Sequence, residues 1–360
     1  MAMLDPTPRV CIDYDIVTGN IQRALTRMKP YGLAHRPHIK AHKSVELARL
    51  QIEKGCKGIT CAKLSEAEIM ANAGIDDILL AYPLIGEEKL QRYSALIQRG
   101  IHIMTIVNSL YGANGLSRLG KHLDVRLPVL IEMDGHIGRG GLKMGADFED
   151  FARELKKLDG IEVKGVEVYS GDIYDLKTEE SIRLRAREER SEILECANTL
   201  KKLGMRPEVL SGGSSFSVLY PEELEGITEI RAGNYIFNDN ALFSIGLIPR
   251  EYCAMTVKAM VVGKARDDVA IIDAGSKTLS SDLVHLHEGY GAVIGHPQAE
   301  ITKLNEEHGF VHMADLEVGD ILEIIPNHAC VIPNLYDRLP AYRGKQFDHW
   351  IKIDARGMNY

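Results

Sequence analysis

The chain has 360 residues, a formal net charge of −8 and a pI near 5.9, which excludes the clustered Lys and Arg surface that nucleic acid or an anionic membrane requires. No apolar run reaches the ~20 residues of a membrane span, and the N-terminal "MAMLDPTPRV" lacks the apolar core of a secretion signal. Six cysteines without paired spacing predict a reducing cytoplasm, and a small molecule is left as the natural partner.

The length suits two domains better than one. The opening strand "RVCIDYD" has no helix before it and is free to pair with the second of them. From there apolar runs alternate with amphipathic helical stretches, and the runs "LAHRPHIK", "GITCA", "DILLA", "IHIMTIV", "LPVLIEMD", "IEVKGVEVY", "PEVLSGG" and "TEIRAG" read as strands. Helices are predicted in "SVELARLQIEKG", in "KLSEAEIMANAG" and in "TEESIRLRAREERSEILECANTLKKLG", which Gly204 stops. Eight such units in about 230 residues have the size and rhythm of a (β/α)8 TIM barrel. An open doubly wound sheet would need an early G-x-G-x-x-G. "DGHIGRGGLKMG" does not read that way, follows the fifth strand, and is predicted to be a tight turn. Beyond "SIGLIPREY" the runs "CAMTVKAMVVGKA", "DDVAIIDAG", "GAVIG" and "DILEIIPN" follow one another without long helices, which predicts a mostly β domain. The division expected is residues 10–245 for the barrel and 246–360 plus 1–9 for the β domain.

Barrel enzymes carry their reactive groups at the C-terminal ends of the strands. There stand Lys40 after the first strand, Asp134 and Arg139 after the fifth, Tyr169 after the sixth, Ser211, Gly212, Gly213 and Ser214 at the seventh, and Arg231 and Gly233 at the eighth. Glycines followed by hydroxyl residues at a strand-to-helix turn offer backbone N–H groups to a phosphate, and Gly233, Asn234 and Tyr235 add a second set. A flexible loop with a Ser helix cap would use the same "SGGSS". A phosphate loop, a lysine and an aromatic at neighbouring strand ends point to pyridoxal 5'-phosphate, whose aldehyde needs an amine partner. Lys40 is the expected amine, because a barrel mouth disfavours its charged form. Lys43 begins the next helix and is expected to reach water.

The segments "PHIKAHKS", "GGSS", "RAGNYIFND", "DAGSKTLSSD", "EEHG" and "PNHACVIPNL" resemble, in that order, the D-threonine aldolase and D-serine dehydratase family. This is the metal-activated branch of the alanine-racemase-like pyridoxal-phosphate enzymes. The resemblance runs from about residue 7 to residue 337. It implies a cofactor-binding barrel with a C-terminal β domain and a homodimer. It also implies a Schiff-base role for Lys40, ring stacking for Tyr169, a position facing the pyridine nitrogen for Arg231 and one near the phenolic oxygen for Arg139.

In "PNHACVIPN", His328 and Cys330 stand two apart, so an extended segment would put imidazole and thiolate on one face, where they suit Zn²⁺ or a similar divalent ion such as Mn²⁺, Co²⁺ or Mg²⁺. Alone, the pair reads first as a core cysteine beside a chance histidine. The resemblance implies the metal pair, and a Cys at the second position goes with the family's dehydratases, an Asp with its aldolases. The expected activity is therefore a lyase acting on D-3-hydroxy-α-amino acids such as D-serine, D-threonine or D-threo-3-hydroxyaspartate, by dehydration. Retro-aldol cleavage is the alternative, followed by amino-acid racemisation. His308, His38 and His42 are left open between contact with the site and ordinary packing.

Overall fold

The computed structural model describes residues 6–284 and 288–360. The chain divides into two compact units, one of Arg23–Lys40, Val45–Gly233 and Gly357–Tyr360, the other of Met1–Gln22, Ala41–Ser44 and Asn234–Arg356. Its first strand, β1 (Arg9–Asp13), belongs to the second unit, and helix α1 (Tyr14–Met28) follows it.

The first unit is built on eight parallel strands: β2 (Ala34–His35), β3 (Ile59–Cys61), β4 (Asp77–Pro83), β5 (His102–Val107), β6 (Leu127–Met133), β7 (Ile161–Val168), β8 (Val209–Gly212) and β9 (Glu229–Ile230). They pair in the order β2-β9-β8-β7-β6-β5-β4-β3. The two ends of that order are joined by a parallel bridge between His38 and Thr60, with Thr60 N–H donating to Pro37 O at 2.8 Å. The expected TIM-like barrel is thus present, each run in its predicted place. Its strands are buried on both faces, which is why they read as continuous apolar runs, with Ile78, Leu79 and Leu80 at 1% exposure or less. Leu79, Ile106, Leu130 and Val209, from four strands, pack into one cluster inside it.

The longest helix of this unit covers Glu179–Lys202, and its start is set by Thr178, whose side chain accepts from Ser181 N–H. It stops where Gly204 takes a φ of 77°, a left-handed value that costs glycine nothing. The Gly-rich segment after β6 is the tight turn expected: Leu142 pairs back onto Glu132 and Asp134, and a Cβ on Gly141 would lie 2.4 Å from the Met133 backbone.

The second unit is a mostly β sheet of nine strands among the described residues. These are β1, β10 (Met255–Arg266), β11 (Val269–Ile272), β12 (Ala292–Val293), β13 (Glu300–Leu304), β14 (Gly309–His312), β15 (Ile321–Ile325), β16 (Arg338–Arg343) and β17 (Gln346–Lys352). Strand β1 pairs antiparallel with β10 and parallel with β16, as the missing helix before it allowed. No described helix is long and apolar enough to cross a membrane.

One buried group in the barrel gives the fold a pH dependence. His35 is 1% exposed, its Nε2 lies 3.1 Å from Ala232 O, and burial lowers its pKa from 6.5 to about 4. Above 6.5 the ring is neutral in both folded and unfolded chains; between 6.5 and 4 only the unfolded chain takes the proton, so stability falls as pH falls. From this residue the protein should be about 2 kcal/mol less stable at pH 5 than at pH 7. Denaturant unfolding at the two values should show that difference in the wild type and much less of it in His35→Gln.

Candidate active site

In the barrel unit the strand-end residues form a connected group. Lys40 lies one short turn beyond where the sequence placed it: β2 is only two residues long, and Lys40 sits on the 3-10 turn Ile39–Ala41, after the segment that bridges to β3. Its Nζ is 5.4 Å from the centroid of the Tyr169 ring, and the Arg139 guanidinium is 5.0 Å from the same centroid, both within cation–π range. Tyr169 follows directly on β7, so three elements bring amine, guanidinium and ring together. His38, two residues before Lys40, is held well below its usual pKa, by burial first and then by the fields of Lys40 and Arg231. A neutral imidazole therefore stands beside the lysine.

Arg231 is 6% exposed and held by three hydrogen bonds of its five-donor guanidinium. Its guanidinium pairs with Glu167 and donates to Val168 O at 2.7 Å and to Ser211 Oγ at 2.7 Å. Ser211 Oγ in turn donates to Glu229 Oε1 at 2.9 Å, and Arg36 Nε donates to Glu229 Oε2 at 3.1 Å. The hydroxyl expected to meet a phosphate is thus committed to the network that fixes Arg231. Strands β6 and β7 set Glu132 opposite Glu167, and burial, then the Glu167 charge, raise the Glu132 pKa.

The turn after β8 shows the cap that its sequence allows. Gly213 has a φ of 77°, and its N–H donates at 2.6 Å to Oε1 of the buried Glu189, from the long helix. Ser214 Oγ accepts from Phe216 N–H at 3.2 Å and Ser217 N–H at 3.3 Å, the cap arrangement. A Cβ on Gly212 would lie 2.7 Å from Glu189 Oε1, and one on Gly233 2.6 Å from His38 O. Gly233 needs glycine because a backbone carbonyl approaches it, whereas only side-chain ends crowd Gly212.

Asn234 and Tyr235 belong to the β unit, buried in a 3-10 turn over Asn234–Ile236. Here the structure adds a residue that sequence reasoning missed. Asp239, fully buried, has Oδ2 3.0 Å from His328 Nδ1 and accepting from Ala329 N–H at 3.0 Å and from Asn234 Nδ2; its Oδ1 accepts from Ala241 N–H at 3.1 Å. The carboxylate ties the imidazole through Nδ1, and the Cys330 thiol hydrogen-bonds the same ring, so both groups fix its orientation. Burial favours neutral His328, but Cys330 and Asp239 together outweigh it and raise its pKa well above 6.5. Its signal lay in the quoted "RAGNYIFND", 89 residues before His328, and no spacing rule joins segments so far apart.

Among the described residues no set of three or more His, Cys, Asp or Glu side chains is placed to hold a metal. His308 is exposed in the turn before β14, and His42 Nδ1 accepts from Ser44 N–H at 3.1 Å in local packing. Lys43 departs from its expected place in water: it is 5% exposed, has a φ of 53°, and its Nζ is 3.5 Å from Ala355 O.

Residues 12–241 match the family "Alanine racemase, N-terminal domain", and residues 254–342 match "Putative serine dehydratase domain". The chain is 33% identical to a D-threo-3-hydroxyaspartate dehydratase of Delftia sp., covering 95% of this chain and 94% of that one. The chain belongs to the D-threonine aldolase and D-serine dehydratase family. Another member, a 3-hydroxy-D-aspartate aldolase of Paracoccus denitrificans, is 27% identical over 98% of this chain and 93% of its own. The solved Delftia dehydratase superposes with a TM-score of 0.88 over 97% of this chain and 98% of its own. It has also been solved with a histidine changed to alanine and with a cysteine two positions later changed to alanine, the latter in a metal-free form. That order and spacing are those of His328 and Cys330.

The carboxylate behind His328 gives a direct prediction. Asp239→Asn keeps the shape but offers the imidazole an amide, so metal affinity should fall about 10- to 100-fold. Equilibrium dialysis with Zn²⁺ measures it; an unchanged affinity would assign Asp239 to the helix cap alone.

Proposed function

We propose that this protein is a pyridoxal-phosphate- and divalent-metal-dependent lyase that dehydrates a D-3-hydroxy-α-amino acid to a keto acid and ammonia. The observation that carries the reading is His328 held through Nδ1 by a buried carboxylate, with a thiol two residues on. The donor chemistry fits both groups. Imidazole Nε2 and the Cys330 thiolate are zinc-type ligands, and two of them leave coordination positions for substrate. Lys40 is the amine for the cofactor's aldehyde, Tyr169 a ring to face it, and Arg139 a cation at the same ring. Arg231 would hold the ring nitrogen with a donor that does not surrender its proton. Gly213, Ser214, Gly233, Asn234 and Tyr235 supply the turns for the phosphate.

When bound, pyridoxal phosphate supplies the electron sink next to Cα and the divalent ion, read here as zinc, supplies Lewis acidity toward the β-hydroxyl. Lys40 takes the Cα proton at Nζ, and neutral His38 adds no competing charge beside it. The Cβ–O bond breaks, hydroxide leaves, and the released enamine hydrolyses to keto acid and ammonia. Removal of the hydroxyl proton instead breaks Cα–Cβ and gives glycine and an aldehyde, the second reading, which the aldolase relatives favour. Relatives of both names act on 3-hydroxyaspartate, which supports that dicarboxylate as the substrate. Six cysteines without a disulfide support a cytoplasmic site, and the family resemblance supports a homodimer.

Product analysis on D-serine, D-threonine and D-threo-3-hydroxyaspartate tests the reading. Keto acid and ammonia in equal amounts are expected; aldehyde and glycine would establish the aldolase, and D/L interconversion alone a racemase.

A further inference from the structure

The β unit contains a cavity of about 440 Å³ that the proposed chemistry does not use. Strand register builds one wall of it. Strands β1 and β10 set Arg9 opposite Lys258 and Cys11 opposite Thr256, β10 and β15 set Lys258 opposite Glu323, and β1 and β16 set Asp13 opposite Tyr342. All seven of these side chains line the cavity. Arg250 and Cys253 enter from the turn before β10, and Lys345 from the turn between β16 and β17.

Four cationic side chains and two carboxylates face this space, a surplus of positive charge in a chain whose formal charge is −8. The carboxylates have other work: Glu323 accepts from Arg250 at 3.3 Å, and Asp13 Oδ1 accepts from the N–H groups of Asp15 at 3.1 Å and Ile16 at 2.9 Å, at the start of α1. Like charges directly opposite each other across an antiparallel pair destabilise a sheet, so the Arg9 and Lys258 pairing has a cost that an anion in the cavity would relieve.

We propose that this cavity binds a small organic dianion, a short dicarboxylate for which succinate is the probe. The cations come from four separate elements spaced around the cavity rather than from one turn, which suits two carboxylates held apart better than one phosphate. The guanidinium forks of Arg9 and Arg250 match carboxylate geometry, Thr256 and Tyr342 add hydroxyl donors, and Ala254 and the Cys253 thiol give a methylene chain an apolar surface. The site is formed within the β unit and stands independently of which reaction the enzyme catalyses.

The test is calorimetric titration of the pyridoxal-phosphate-loaded protein with succinate, beside acetate and inorganic phosphate at matched ionic strength. Saturable succinate binding is expected, with acetate and phosphate weaker. Lys258→Gln should weaken succinate about tenfold, and Lys345→Asn, whose side chain tolerates the φ of 71° there, should weaken it severalfold while kcat/KM without succinate stays at the wild-type value. Succinate affinity unchanged in both variants would place any binding elsewhere and overturn the proposal. Phosphate bound as tightly as succinate would overturn the dicarboxylate assignment.

Discussion

Lys40→Ala is expected to abolish turnover, with a loss of about 10⁴-fold or more, because one substitution removes both the amine proposed to hold the cofactor and the proposed base for the Cα proton. Activity alone would not distinguish this from misfolding. The second readout is the visible absorption of added pyridoxal phosphate, which should stay that of the free aldehyde in Lys40→Ala and shift in the wild type. Borohydride followed by peptide mapping should fix the cofactor on Lys40 and not on the neighbouring Lys43. Lys43→Asn, which suits the φ of 53° at that position, should keep the shifted absorption. Thermal unfolding of the Lys40 variant should stay close to wild type, since the side chain is half-buried and its ring contact is modest.

His328→Ala should release the metal and lower dehydration by about a thousandfold, the size of effect expected when several kcal/mol of Lewis-acid help are lost. The cofactor's absorption should persist, because the groups assigned to it in the barrel are untouched. Cys330→Asp is the more telling change. An oxygen ligand keeps a divalent ion in place, and the Cys-to-dehydratase and Asp-to-aldolase pattern predicts that the ratio of aldehyde to keto acid rises. An unchanged ratio with bound metal would mean that the second ligand does not set the reaction type.

The barrel was legible because its strands are buried on both faces and its helices on one, and those two patterns survive any detail of packing. Lys40, Tyr169 and Arg231 were legible for a related reason, since strand ends in a barrel converge whatever lies between them. Short-range geometry was not. Beyond β2 the chain keeps a single bridge to β3, at His38, and then enters the 3-10 turn that carries Lys40, although "LAHRPHIK" is apolar enough to read as one strand. Ser211 was expected beside a phosphate; in the structure its hydroxyl joins Arg231 and Glu229, an arrangement that depends on the neighbouring strand β9. Asp239 and Lys43 escaped for the same cause: the partners that decide their roles, His328 and Ala355, lie 89 and 312 residues away.

The proposed reaction removes water from a D-3-hydroxy-α-amino acid with help from an ion at His328 and Cys330. Its most direct test is the rate of keto-acid formation from D-threo-3-hydroxyaspartate by the pyridoxal-phosphate-loaded enzyme, before chelation, after it, and after restoring Zn²⁺ or Mn²⁺. Keto acid is expected from the untreated enzyme, with near-complete loss on chelation and recovery with the ion. Full activity in the metal-free protein would contradict the proposal.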